Sequence, residues 1–193
     1  MLACGMAAGA VGQSAPPSKK GPDVLVIYSS GTPSVTISDA AMDALSSPTP
    51  AGVNVRTLAE RLAAALAAKN RSVRVVPALE VATVEEILSA GVVVIGSPSC
   101  FGNVSWPIKK VIDELYGRIY QMKNKVKCPP HAAFSMAEIK PSAEAAIATI
   151  KNAVRDCNGA FGPTMIVLVK DSPEQITRRV GEFAVQIAAF KRE

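Results

Sequence analysis

"GVVVIGSPSCFGNVSWPIKKVIDEL", Gly91 to Leu115, leaves an apolar run, lays down Gly, Ser, Pro, Ser, Cys, Phe, Gly and Asn, and then takes up helical spacing. The run Val92 to Ile95 is wholly β-branched and reads as a strand buried on both faces. Ile108, Val111, Ile112 and Leu115 fall on one helical stripe, which predicts a helix restarting at Trp106-Pro107. Turn-forming residues account for most of what lies between. They do not account for Phe101, an aromatic set between Gly96 and Gly102. The loop reads as a surface against which a flat group could lie.

The same strand, loop and helix order recurs along the chain. "DVLVIY" (Asp23 to Tyr28), "SVRVV" (Ser72 to Val76), "HAAFSM" (His131 to Met136) and "TMIVLV" (Thr164 to Val169) read as further strands. "NVRTLAERLAAALAAKN" carries Val55, Leu58, Leu62, Ala65 and Leu66 on one stripe, and "VEEILSA" is a short helix. "SAEAAIATIKNAVRDCNG" is expected to open with Ser142 as its cap and to stop at Gly159. "SPEQITRRVGEFAVQIAAF" begins Ser-Pro-Glu, a helix start. Five strands alternating with five helices predict an α/β fold, a parallel sheet with helices on both faces.

Composition sets the outer limits. At 193 residues, 49% apolar and 19% charged, the chain has the make-up of one globular domain. The net charge of +5 is modest, and no basic stripe with interleaved aromatics suggests a nucleic-acid partner. An anionic ligand or partner is the second reading of that charge. Cys4, Cys100, Cys128 and Cys157 have no metal-knuckle spacing and His131 is the single histidine, so no metal site is expected. Reduced thiols point to a cytoplasmic setting. No run reaches the ~20 apolar residues of a membrane span.

Two segments stand apart. Residues 1–21 are small, then Ser- and Pro-rich, and read as a flexible tail before a domain spanning 22–193. "LACG" also looks like the end of a lipoprotein signal, which would anchor or export the chain at Cys4. Residues 29–52 form a long Ser, Thr, Pro and Ala insertion after the first strand, a length expected of a functional loop.

In a doubly wound sheet, ligands bind beyond the carboxyl ends of the strands where strand order reverses. For order 2-1-3-4-5 that point lies between the first and third strands. These exit into "YSSGTPS" and "GSPSCFGNVSW", the two loops richest in Gly, Ser and Thr. No G-x-x-x-x-G-K-[ST] or G-x-G-x-x-G is present, which removes triphosphate and dinucleotide loops. Trp106 stands where a thiolate phosphatase built on Cys100 would need arginine. What remains is a monophosphate held by hydroxyls and N–H groups at a helix start, with a planar group beside Phe101 or Trp106. Each residue also has a plainer role: Phe101 as a plug on the sheet edge, Trp106 packed on the core, Ser29 and Ser30 as turn formers, Cys100 incidental, His131 structural, Asp113 and Glu114 solvated.

"YSS…GVNVRTLAE" together with "VVIGSPSCFGNVSWPIKKVIDEL" resembles the flavodoxin-like FMN-binding family. The second segment is most similar to tryptophan-repressor-binding-protein-like NAD(P)H:quinone oxidoreductases, through Gly96, Ser97, Pro98, Phe101, Gly102, Asn103 and Ser105. The resemblance implies a flavodoxin-like five-stranded sheet of order 2-1-3-4-5 over about residues 23 to 190. It implies FMN as cofactor, with Ser29, Ser30, Thr32, Gly52 and Asn54 toward its phosphate. Ser97, Pro98, Ser99, Cys100, Phe101, Gly102, Asn103 and Trp106 would lie toward its ring. The implied activity passes electrons from NAD(P)H to a quinone or other small acceptor, with self-association left open. Four departures accompany it: the insertion interrupts the phosphate loop, Val55 replaces a hydroxyl, Cys100 replaces an arginine common in the quinone reductases, and "SMAEIKPSAEAA" lacks the family's Gly-rich, histidine-bearing loop. A flavodoxin-fold electron carrier and a binding protein without flavin are the alternatives.

Overall fold

The computed structural model describes residues 21–29, 52–81 and 83–190. The expected tail, Ser30, Thr32 and most of the insertion lie outside them. The element order is β1 (Val24–Tyr28), α1 (Val55–Ala67), β2 (Val73–Pro77), a 3₁₀ turn (Ala78–Glu80), α2 (Val84–Ser89), β3 (Val92–Cys100), β4 (Asn103–Val104) and α3 (Trp106–Val111). A π-helical segment (Ile112–Tyr116) then leads into α4 (Gly117–Gln121), β5 (His131–Ala137), α5 (Lys140–Asp156), β6 (Phe161–Leu168) and α6 (Pro173–Ala189).

The sheet runs β2-β1-β3-β5-β6, all parallel, with the two-residue β4 paired antiparallel to the end of β3. This is the expected strand order with one short strand added. Alternation along each strand feeds two cores. Leu25, Ile27, Val93 and Ile95 face α2, α3, the π segment and α5. Val24, Val26, Val92 and Val94 face α1 and α6. On the second side Leu58, Leu62 and Leu66 of α1 are fully buried, contributing about 2 kcal/mol each. A sheet buried on both faces explains why its strands read as continuous apolar runs.

Four local expectations need correction. β3 does not end at Gly96 but continues to Cys100, so the expected loop is largely strand and hairpin. Gly96 O accepts from the Ser29 N–H at 3.1 Å, so even-numbered positions of β3 face the β1 side, where pairing ends at Tyr28. Pro98 therefore lacks its donor where no described strand needs one. α5 begins at Lys140, with Ile139 at the cap position and no side-chain cap, because Pro141 suits the first turn; Ser142 lies inside the helix. Its left-handed stop is Asn158, at φ +57°, rather than Gly159. β6 starts at Phe161, earlier than its apolar run suggests, because it completes the ladder to His131.

Candidate functional site

The strand order reverses between β1 and β3, and the crevice there is built from the residues that follow each strand. On the β3 side, Ser99 pairs with Val104 and Cys100 with Asn103, leaving Phe101 and Gly102 as a two-residue hairpin turn. Their φ angles are +51° and +75°, the both-positive pattern of a type I′ turn. Glycine takes this conformation freely; phenylalanine does so under strain. The Phe101 side chain is fully exposed, so it is not a plug on the sheet edge. Trp106, first residue of α3, is half exposed, with Lys110 Nζ 5.6 Å from its ring centre.

The hairpin is held firmly. Ser99 Oγ donates to Ser142 O at 2.8 Å, and Thr149 Oγ1 donates to Asn103 Oδ1 at 3.2 Å, both into α5. Beneath it, Ser97 and Ser105 are completely buried. The Ser105 N–H donates to Ser97 Oγ at 2.9 Å, and the Ser97 hydroxyl donates to Pro98 O at 2.8 Å. The Ser97 side chain thus supports the hairpin from inside. Gly96 is explained by the core: a Cβ there would sit 2.1 Å from the Phe134 ring. Pro98, paired with Met136, lies on the strand rather than at its exit.

On the β1 side, Ser29 is buried and its backbone extends the ladder to Gly96. Gly52 has φ +63° with open space around its α-carbon, so the chain turns there before α1. Asn54 caps α1 in a reciprocal box: its Oδ1 accepts from the Thr57 N–H at 2.8 Å, while Thr57 Oγ1 accepts from the Asn54 N–H at 2.9 Å. The amides of Val55 and Arg56 stay outside that box. Arg56 places a cation in the first turn of α1, with Glu60 3.0 Å away. A cation at a helix amino end opposes the helix dipole. It becomes favourable when an anion sits at the same end.

The structure therefore brings Ser29, Gly52 and Asn54 to one side of the reversal point and residues 98–103 and Trp106 to the other. Sequence reasoning passed over Arg56, although a basic residue just inside a helix start is a visible signal. It also passed over Leu79 and Ile139, half-exposed or more, which follow β2 and β5 at the same end of the sheet. Burial pushes the Cys100 thiol up from its ordinary value, which disfavours a thiolate. His131 opens β5 at the opposite end and is fully buried. Among the described residues no cluster of His, Cys, Asp or Glu could hold a metal. Nor is any described helix long and apolar enough to cross a membrane.

An open, rigid hairpin with an outward aromatic fits a flat ring, and a capped helix start with a nearby cation fits a phosphate. No protein-family model matches the chain. No curated protein matches it either. Solved structures do. The two-electron reduced flavodoxin of Megasphaera elsdenii matches with TM-score 0.59 at 18% identity, over 86% of this chain and 99% of that one. Oxidised Flavodoxin 1 from Bacillus cereus matches with TM-score 0.62 at 10% identity, over 88% and 98%. A flavodoxin, WrbA-like protein from Agrobacterium tumefaciens matches with TM-score 0.62 at 12% identity, over 88% and 97%. At such identities the common property is the fold, and the fold of this chain is flavodoxin-like.

Proposed function

We propose that the crevice between β1 and β3 binds FMN and that the protein passes electrons from NAD(P)H to a quinone-like acceptor. The observation that carries this reading is the hairpin at the reversal point, with Phe101 strained and pointing outward. Strain at an exposed aromatic has no use to the core and suits a ligand-facing surface. FMN, when bound, supplies the redox chemistry itself.

The chain's own residues then have limited tasks. The backbone from Pro98 to Asn103 lies along the ring, and its N–H and C=O groups set the polarity around it. Ser29, Gly52 and the amino end of α1 hold the phosphate, with Arg56 adding charge; Ser30 and Thr32 belong to the same loop in sequence. No described side chain in the crevice is placed as an obligatory acid or base. The half-exposed Trp106, Leu79 and Ile139 give this end of the sheet an apolar rim suited to a planar, weakly polar acceptor.

One observation favours a second reading, a binding protein without flavin. Asn54 commits its oxygen to capping, and Val55, fully buried, stands where a hydroxyl would serve a phosphate. Titration of the purified protein with FMN, followed by flavin fluorescence, separates the two. Quenching that saturates at micromolar FMN, with bleaching by NADH or NADPH and reoxidation by a benzoquinone, is the expected result. Fluorescence identical to free FMN throughout overturns the proposal.

A further inference from the structure

The excess positive charge of the chain is not spread evenly. Between Glu114 and Glu138 there is no acidic residue, while Arg118, Lys123, Lys125 and Lys127 fall close together. That stretch carries four positive charges in a chain whose net charge is +5. The fold places Arg118 on α4 and the three lysines just beyond its end. The Lys125 and Val126 N–H groups both donate to Met122 O, at 2.7 and 3.1 Å, which winds residues 122–126 into a compact turn. Arg118, Lys125 and Lys127 are exposed. Tyr120 is half exposed, and Lys123 Nζ stands 3.9 Å from its ring centre. The acids also at this end are engaged: Asp23 with Ser72, and Asp156 with Arg155.

This turn leads into the amino end of β5, where Pro130 O accepts from the Val93 N–H at 3.0 Å. One strand away, Pro22 O accepts from the Gly91 N–H at 3.0 Å. The amino ends of β1, β3 and β5 thus lie together at this end of the sheet. The β1–β3 crevice lies at the opposite end.

We propose that this amino-end face docks on an anionic lipid surface, leaving the crevice turned toward solvent. Three of the four cations are lysines, hydrated point charges that suit a diffuse negative surface better than bidentate readout. Tyr120 joins an apolar ring to a polar tip, the side-chain chemistry that settles at headgroup depth. A nucleic acid would call for a longer basic track with several stacking aromatics. This turn offers one. The inference does not depend on whether the crevice holds a flavin.

Co-sedimentation of the full chain with vesicles tests it. Phosphatidylcholine vesicles containing one-third phosphatidylserine are expected to bind the protein about a thousandfold more strongly than pure phosphatidylcholine, and salt should weaken that binding. K123Q/K125Q/K127Q should lose about a hundredfold in binding while melting at the parent temperature. Y120S, which keeps every charge, should lower the binding that survives added salt. Equal binding to both vesicles, or full binding by the triple variant, overturns the proposal. So does tighter binding to polyuridylate or polyglutamate than to the anionic vesicles at matched salt, which would make the face a site for nucleic acid or acidic protein.

Discussion

Tyr116 Oη lies 2.5 Å from Nε2 of His131, inside the core and away from the crevice. The other ring nitrogen, Nδ1, is 2.7 Å from Pro129 O, which can only accept. Nδ1 therefore carries the proton, and Nε2 accepts from the tyrosine O–H. Burial pushes the Tyr116 phenol well up, so it stays a donor. The pair joins the π segment to the first residue of β5.

Burial also lowers His131 from its ordinary 6.5 to about 4, its hydrogen bond to Pro129 opposing the shift. Between those values the unfolded chain takes up a proton that the folded chain refuses. Stability is thus at full strength above about pH 6.5 and falls by about 3 kcal/mol as pH drops to 4. Urea denaturation at pH 7, 5.5 and 4.5 reads this loss. His131→Gln should be less stable at pH 7 but show a shallower slope. Tyr116→Phe, leaving Nε2 unpartnered, should cost about 1–3 kcal/mol.

Phe101→Asn is expected to stabilise the protein by about 1 kcal/mol. Asn-Gly is the favoured pair for a type I′ turn, and the strained aromatic is removed with no loss from the core. The same substitution should weaken FMN binding, since it deletes the exposed ring. Thermal melting and flavin titration on one preparation check both halves, and a fall in Tm would contradict the assigned turn strain.

Gly96→Ala should be poorly tolerated. The added methyl would meet three atoms of the Phe134 ring at 2.1 to 2.7 Å. The ring belongs to a packed core and has little room to retreat, so overpacking costs about 3 kcal/mol. Soluble yield and denaturation midpoint are the readouts, and Gly96→Ala/Phe134→Leu should recover part of the loss.

Arg179 guards the outer strand. Its Nη1 lies 2.7 Å from Ile166 O and 2.6 Å from Asp171 Oδ2, and that oxygen also accepts from the Leu168 N–H at 2.6 Å. These contacts occupy backbone groups that an edge strand otherwise offers to other chains. Arg179→Ala leaves the buried Asp171 short of its cation, at about 2 kcal/mol given the partial exposure of the arginine. It should also increase light scattering on mild heating.

Much of the fold was legible because a sheet buried on both faces writes itself as apolar, mostly β-branched runs, as at Val24 to Ile27 and Val92 to Ile95. An amphipathic stripe marked α1, and Ser-Pro-Glu announced the start of α6, where Ser172 forms a capping box with Gln175. The extension of β3 was hidden. Ser97, Pro98 and Ser99 are poor strand formers, and only the end of β1 and the pairing to β5 make them strand. The π segment left no mark in the helical spacing that follows Trp106. Within the candidate site, Gly, Ser and Phe at 96–102 drew attention to the segment that the fold places at the strand-order reversal, but not to why Gly96 is glycine. Phe134, far away in sequence, decides that.

The hairpin that carries Phe101 is not a loop laid on a scaffold. It is the prolongation of the central strand, in register with β5 as far as the Pro98–Met136 pair and tied to α5 by Ser99 and Asn103. The wall of the crevice therefore shares the lifetime of the sheet. Opening it means fraying the middle of the molecule, so amide exchange at Ser105, whose N–H is held by the buried Ser97 Oγ, should report on global unfolding rather than on breathing of the entrance.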